Sequence, residues 1–341
     1  MKTTPKVSVL MPIYKTRPEH LKAALESILS QTFKDFEFVI LNDSPEEQTL
    51  KDIVLSYQDP RIRYVENKQN LGVAASYNRL IELAQAPLLA MMNHDDIAFP
   101  HRLEKQVSFL SSHQEIGLVG TGYKKFGEFN RFKNVINPEN DKTIRSSLLF
   151  KSSIHHPTIM FRKDIVTAHN IRYNENYVSL NDRDFYYEMS KHTKLANLNE
   201  VLYKYRFHKD MVSKRHHAKI FNEQCAFHDK YFKDNGIELT PAEKFVFDNY
   251  AALGRCKIKY PEMLNAVASV LEKIAKANLA LGFMPEPEFS ALCARYLLKR
   301  CLNAAVFGKI NSTALLAQTK MPVTPNNLLN FLNFAYARKG L

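Results

Sequence analysis

Through the first hundred positions, short runs of β-branched and apolar residues alternate with stretches in which apolar positions recur every three or four residues. Val7-Ser8-Val9-Leu10-Met11-Pro12-Ile13-Tyr14 has the composition of a buried first strand, and Pro12 is expected to stop it. Pro18 and Glu19 open a helix in which Leu21, Ala24, Leu25, Ile28 and Leu29 share one face, and Gln31-Thr32 end it. Residues 36–41 read as a second strand that runs into Asn42-Asp43-Ser44-Pro45. A helix over 46–57 and a short strand over 62–65 follow, and Asn70-Leu71-Gly72 turns the chain into a helix from Val73 to Leu83. Pro87 introduces a fourth strand, Leu88-Leu89-Ala90-Met91-Met92, which ends on Asn93-His94-Asp95-Asp96.

This alternation predicts an α/β fold with a mostly parallel sheet, helices on both faces and right-handed crossovers. Such sheets hold ligands outside the carboxyl ends of their strands, so Tyr14, Asp43 and Asp95 are expected along one crevice.

The order is less regular beyond residue 100. Leu118-Val119-Gly120-Thr121-Gly122-Tyr123 suggests a strand, 134–141 a polar loop, and 154–162 a strand with His155 and His156 at its start. Asp182 falls at or near a helix N-terminus, where the macrodipole favours an ionised carboxylate; a simple N-cap is the competing reading. Residues 201–208 alternate like a strand and lead into Lys209, Lys214, Arg215, His216, His217 and Lys219. From about residue 220 the pattern turns helical. Met263, Leu264, Val267, Val270, Leu271 and Ile274 form one stripe, Phe289, Leu292, Tyr296 and Leu297 a second, and 328–336 a third, with prolines at 285, 287, 322 and 325 marking breaks. The expected division is an α/β domain over 1–219, with halves at about 1–100 and 101–219, and an all-helical domain over 220–341.

At 341 residues the chain has room for two such domains, and 45% hydrophobic with 24% charged residues is an ordinary globular balance. No apolar run approaches the roughly 20 residues that span a bilayer, and the first apolar stretch is too short for a signal-peptide core, so a cytoplasmic protein is expected. Cys225, Cys256, Cys293 and Cys301 show no close CxxC spacing and read as reduced, packed thiols. The net charge of +12 suits phosphorylated substrates or an anionic membrane face. No nucleic-acid-binding signature accompanies it, so no nucleic-acid partner is expected. Basic residues outnumber acidic ones in the helical end, where ordinary packing is the first reading and peripheral membrane contact the second.

Candidate chemistry centres on Asp95 and Asp96. Adjacent carboxylates repel, and burying them is costly unless a cation lies beside them; a solvated turn is the alternative. None of the 10 glycines forms a phosphate-cradling loop, so a bound nucleotide would need another device, which a metal held by Asp95 supplies.

Taken in order, these segments resemble the family-2 inverting glycosyltransferases of GT-A fold over about residues 5–215. The resemblance rests on Val7 to Tyr14, Ser27-Ile28-Leu29-Ser30-Gln31-Thr32, Phe38-Val39-Ile40-Leu41-Asn42-Asp43-Ser44, Asn70-Leu71-Gly72 and Asn93-His94-Asp95-Asp96. His156-Pro157-Thr158, the 173–184 segment and Tyr205-Arg206-Phe207-His208 complete it. It implies transfer of a sugar from a nucleoside-diphosphate donor, UDP foremost, to a glycan or lipid-linked hydroxyl acceptor in bacterial surface polysaccharide or lipooligosaccharide synthesis. That work would be done in the cytoplasm, with the inner face of the plasma membrane as the second reading. Tyr14 would stack near the nucleotide base, Pro12 would line it and Asp43 would accept a hydrogen bond from it, with Asn70, Asn93 and His94 completing the nucleotide side. Asp95 would ligate Mn²⁺ or Mg²⁺, with His208 a further metal or phosphate contact; Asp96 would hold the donor sugar or support the site, and Asp182 would be the general base. Asn93 and Asn181 stand where the family has acidic residues, and Tyr77 and Leu80 where Arg and Gly are common. These departures motivate an alternative: a non-catalytic nucleotide-sugar or glycan-binding protein on the same fold.

Overall fold

The computed structural model describes residues 4–128, 133–207, 217–252, 258 and 260–308. Its contacts divide the chain into two units, one of residues 1–144 with 152–223 and one of 145–151 with 224–341.

In the first unit the expected rhythm is realised as β1 (Val7–Ile13), α1 (Pro18–Leu29), β2 (Phe36–Asn42), α2 (Gln48–Ser56), β3 (Ile62–Glu66), α3 (Val73–Leu83) and β4 (Leu88–Met91). β3, β2, β1 and β4 lie side by side and parallel in that order. Val9, Met11, Phe38, Ile40 and Ala90 pack with Leu25 and Ile28 of α1 in the core, each of these side chains but Ala90 contributing about 1.5–3 kcal/mol by leaving water.

Pro12 does not stop β1. The Leu10 carbonyl accepts from Met92 and the Ile13 carbonyl from Asp43, so even-numbered residues of β1 face β4 and odd-numbered ones face β2. β4 pairs with β1 only as far as Leu10, so the N–H that Pro12 lacks would have pointed past the end of β4, and no ladder bond is lost.

The rest of the unit adds β5 (Ile97–Ala98), α4 (Arg102–Ser112), β6 (Ile116–Gly127), β7 (Asn134–Val135), α5 (Asp141–Ser147), β8 (Met160–Arg162), α6 (Lys163–Ala168), α7 (Asn181–Ser190) and β9 (Lys194–Phe207). The sheet continues from β4 through β8, β6 and β9 to β5, with β7 on β6. β8 is antiparallel to both β4 and β6, whereas β6 and β9 are parallel. The strand expected over 154–162 is therefore cut to three residues. His156–Thr158 forms a single 3-10 turn, because Pro157 has no N–H for a ladder and the Thr158 hydroxyl donates back to the His155 carbonyl.

The described residues of the second unit are helical in α8 (His217–Asp234, begun in the first unit), α9 (Pro241–Val246), a π-helical turn over Phe247–Ala252, α10 (Pro261–Leu281) and α11 (Glu288–Gly308). Thr240 and Glu243 form a reciprocal capping box at α9. Leu264, Val267, Leu271 and Ile274 are buried along α10, and Phe289, Cys293, Leu297 and Cys301 along α11. Burial pushes the Cys301 thiol up to about 12 and raises Cys293 further, as befits inert packed thiols. Cys256 and the stripe at 328–336 lie outside the described residues. Among the described residues no helix is long and apolar enough to cross a membrane.

Candidate active site

Because β2, β1 and β4 are parallel neighbours, Asp43, Tyr14 and Asn93-His94-Asp95-Asp96 leave the sheet on one edge. Tyr14 is 44% exposed at the end of β1, and Lys15 after it adopts a left-handed backbone (φ 42°) while its N–H donates to Ser44 Oγ. A non-glycine residue held there stores strain of order 1–3 kcal/mol, the kind that clusters at binding edges.

The two aspartates of the acidic turn have different environments. Asp96 is 0% exposed. Its Oδ2 accepts the Tyr203 hydroxyl at 3.0 Å and the Asn93 amide at 3.1 Å, and its Oδ1 accepts the Arg206 N–H at 2.7 Å. Burial first, and then the neighbouring Asp95 charge, push its carboxyl up, while these three donors oppose them. Its oxygens thus accept three bonds inside the protein, by which Asp96 supports the turn. Asp95 is only half-buried, and its carbonyl accepts Arg206 Nε at 2.6 Å.

Asn93 acquires a physical reason in this setting. An amide can donate to Asp96, whereas a third carboxylate would add charge against a buried acid. His94 is half-buried in the same turn. Beneath it Arg102, wholly buried, lies over the Tyr203 ring at 5.2 Å and donates to the Met91 carbonyl; burial pulls its pKa down to about 10. Arg206 and Arg102 are the cations that the isolated Asp-Asp pair demands, and only Arg206 lies in a segment that the sequence marks. The Tyr-Arg element at the end of β9 was the available signal for Arg206.

Asp43 is held in a comparable way. It is 3% exposed and accepts four bonds, from Asn67 Nδ2 at 2.5 Å, Leu71 N–H at 2.8 Å, Gly72 N–H at 3.0 Å and Asn70 Nδ2 at 3.1 Å. Those four bonds use the four acceptor sites of the carboxylate. Asp43 thereby fixes the turn into α3, whose N-cap Gly72 takes φ 87° and offers no side-chain cap of its own. Asn70 serves the same lock, its amide also reaching the Asp43 carbonyl. Pro12 is buried within β1.

Asp182 stands in the first turn of α7, half-buried, with its Oδ1 accepting the Arg183 N–H at 2.6 Å. Burial raises it to about 6 against the pull of that bond and of the Arg183 charge. Around it lies an aromatic cluster. The Tyr173 ring stacks on Phe185 of α7 at 4.3 Å, and Tyr77 of α3 contacts Tyr173 at 5.0 Å and His156 at 4.6 Å. Tyr77 is raised by burial and then by the charges of Asp182, Asp95 and Asp96, so this one phenol lies within reach of all three carboxylates. His156 bonds the Tyr173 hydroxyl and His155 stacks on Tyr123 at 4.0 Å; burial pushes both imidazoles down to about 3, as neutral packed rings. Tyr77, in the position of the family's Arg, is thus a wall shared by Asp182 and the acidic turn.

His208, with Lys209, Lys214 and Arg215, lies outside the described residues. Among the described residues no group of three or more His, Cys, Asp or Glu is arranged around a metal site. A half-buried Asp95 nevertheless fits Mn²⁺ or Mg²⁺. Hard cations of this kind are bound through one or two carboxylates with substrate phosphates and water rather than in closed protein cages.

The model of the family described as Glycosyl transferase family 2 matches residues 8–174. AmsE of Erwinia amylovora, an amylovoran biosynthesis glycosyltransferase, is 32% identical over 213 residues, 61% of this chain and 79% of that protein. WbnJ of Escherichia coli, an O-antigen biosynthesis glycosyltransferase, is 28% identical over 214 residues, 61% of this chain and 82% of its own. Among solved structures, S. aureus TarS 1–349 superposes with a TM-score of 0.58 at 16% identity, covering 92% of both chains. TarS 1–349 in complex with UDP gives 0.57 at 16% identity, over 98% of this chain and 92% of that one. A parallel sheet interrupted by the reversed β8, an acidic turn at the carboxyl end of β4 and relatives named for sugar transfer agree: the chain belongs to glycosyl transferase family 2 and is a glycosyltransferase of GT-A fold with a helical C-terminal region.

Proposed function

We propose that this glycosyltransferase moves a sugar, with inversion, from a UDP-linked donor to a hydroxyl of a growing surface polysaccharide. The observation that supports this reading is that Asp182, in the first turn of α7 and raised by burial to about 6, shares with Asp95 and Asp96 an electrostatic influence on the buried Tyr77, whose ring packs on Tyr173. A carboxylate of that pKa is mostly ionised at neutral pH yet basic enough to take a proton from an attacking hydroxyl. The acceptor oxygen forms its bond to the anomeric carbon as the bond from that carbon to the diphosphate breaks. The acceptor proton passes to Asp182 and the nucleoside diphosphate leaves, so a single displacement inverts the centre.

On the leaving-group side Asp95 would hold Mn²⁺ or Mg²⁺, an ion that neutralises charge developing on the departing diphosphate. Arg206, held by the Asp95 carbonyl, adds a fixed cation there. Tyr14 offers an exposed ring for the nucleotide base at the end of β1. The UDP bound by TarS supports the donor class by analogy of fold, and the names of AmsE and WbnJ support surface polysaccharide as the product.

The test is nucleoside diphosphate release from a panel of UDP-, GDP- and dTDP-sugars with Mn²⁺, by wild type and Asp182→Asn. UDP release that the variant loses is the expected result. Release that survives Asp182→Asn overturns the assigned base, and a preference for another nucleotide overturns the donor class.

A further inference from the structure

α7 begins without a cap of its own. Its N-cap residue is Leu180, which has no side-chain oxygen, so the amides entering the helix must find acceptors elsewhere. They find one 43 to 45 residues away, in Glu223 of α8. Glu223 Oε1 accepts the Val178 N–H at 2.8 Å, and Oε2 accepts the Ser179 N–H at 2.9 Å and the Leu180 N–H at 3.3 Å. The carboxylate is 5% exposed, and three consecutive backbone donors make the nest that lets a buried anion survive there.

The last of these amides is two residues before Asp182. The entry to α7 is thus pinned from α8, while the body of α7 is pinned by Phe185 against Tyr173. Two constraints from different directions fix how deep the first turn sits, and depth is what desolvates Asp182. The charged and titratable groups that bear on Asp182 are Arg183 on α7, Tyr77 on α3, Tyr173, and Tyr186 on α7. Glu223 is not among them, so its influence is mechanical and runs through the loop.

We propose that Glu223 is a positioning residue for the base, holding the 178–180 loop so that Asp182 keeps both its place and its partial dehydration. The proposal rests on the reading of Asp182 as the base. Glu223→Gln keeps the size of the side chain but turns an amide toward three N–H donors; Glu223→Asp keeps the charge and draws it back by one methylene.

The experiment uses the full chain, with the donor chosen from the nucleotide-sugar panel, Mn²⁺, and water or hydroxyl acceptors. A direct carboxyl titration by ¹³C NMR runs beside it, with Asp182→Asn identifying the Asp182 signal. Glu223→Gln is expected to lower kcat by about 10- to 100-fold, the scale of a misplacement near 1 Å, with the donor KM within about twofold. Its Asp182 titration and the acid limb of its pH profile should both fall from near 6 toward the ordinary carboxylate range, with Glu223→Asp intermediate. A variant that merely loses stability would lower the active fraction and leave the limb in place; that outcome, or an unchanged titration, overturns the proposal. If Glu223→Gln does not fold by circular dichroism, the same two readouts on Glu223→Asp decide. Turnover that survives Asp182→Asn sinks the base assignment instead, and the NMR titration then still reports on whether Glu223 sets the environment of Asp182.

Discussion

Asn78 holds Tyr173 by both ends of its amide: Nδ2 donates to the Tyr173 carbonyl at 3.0 Å and Oδ1 accepts the Tyr173 N–H at 2.8 Å. The same Nδ2 reaches Glu175 Oε1 at 3.0 Å. α3, which starts on the turn locked by Asp43, is thereby stitched to the loop that leads to Asp182. Asn78→Leu keeps the volume but leaves two buried backbone groups unpaired, and should lower unfolding free energy by about 2–4 kcal/mol in urea titrations. A change under about 0.5 kcal/mol would mean that water or a rearranged loop satisfies both groups.

Asp182 ties activity to stability in opposite directions. Below about pH 4 its carboxyl is protonated in folded and unfolded chains alike, and nothing is lost. As pH rises toward about 6, the unfolded chain ionises while the folded one keeps its proton, so folding loses up to roughly 2–3 kcal/mol, less whatever solvent access relieves. Above that the cost is complete, and activity, with Asp182 as the proposed base, is expected to have risen through the same range. Asp182→Asn should therefore be inactive, melt higher than wild type at pH 7 and match it near pH 3.5. An inactive variant that melts no higher at pH 7 would contradict the raised pKa.

The adjacent aspartates should separate cleanly. Asp95→Asn is expected to fold as wild type but to lose the rise in melting temperature that Mn²⁺ with a UDP-sugar gives the native chain, a rise of about 2.7 kcal/mol in stability at a hundredfold excess over Kd. Chelation by EDTA should reproduce that loss in wild type. Asp96→Asn should instead melt lower before any ligand is added, because an amide presents one acceptor oxygen where the two oxygens of the carboxyl meet three donors. Equal behaviour of the two variants would refute this division.

Asn93→Asp, which restores the residue type common at that position, should destabilise this particular chain by roughly 1–3 kcal/mol at pH 7, since it removes a donor to Asp96 and adds a like charge. The penalty should shrink as pH falls and the new carboxyl protonates. Melting curves at pH 4 and pH 7 measure it.

The α/β half of the fold was legible because its signals are local: period-two and period-3.6 patterns, Pro18 at a helix start and Gly72 at a turn. Pro12 misled because its cost depends on the partner strand, and β4 ends before the missing N–H matters. The site was legible as a set of positions and less so as roles. Asp43 and Asp96 have the residue type that binds ligands, but whether a carboxylate faces a ligand or four amides depends on side chains such as Asn67 and Tyr203, far away in sequence. Glu223 and Asn78 carried no motif, since each acts on backbone atoms of a distant segment.

The direction of β8 divides the neighbouring chain by consequence. Because it runs against β4, the turn at His156 that precedes it arrives at the carboxyl end of β4, where His156 packs on Tyr77 at 4.6 Å, while Arg162 and Lys163 at its far end bond the carbonyls of Leu110 and Ala84. Substitutions in the turn before β8 therefore bear on the cluster of His156, Tyr77 and Tyr173. Equal changes a few residues after it are felt as stability. One reversed strand of three residues thus joins that cluster at one end to backbone anchors at the other.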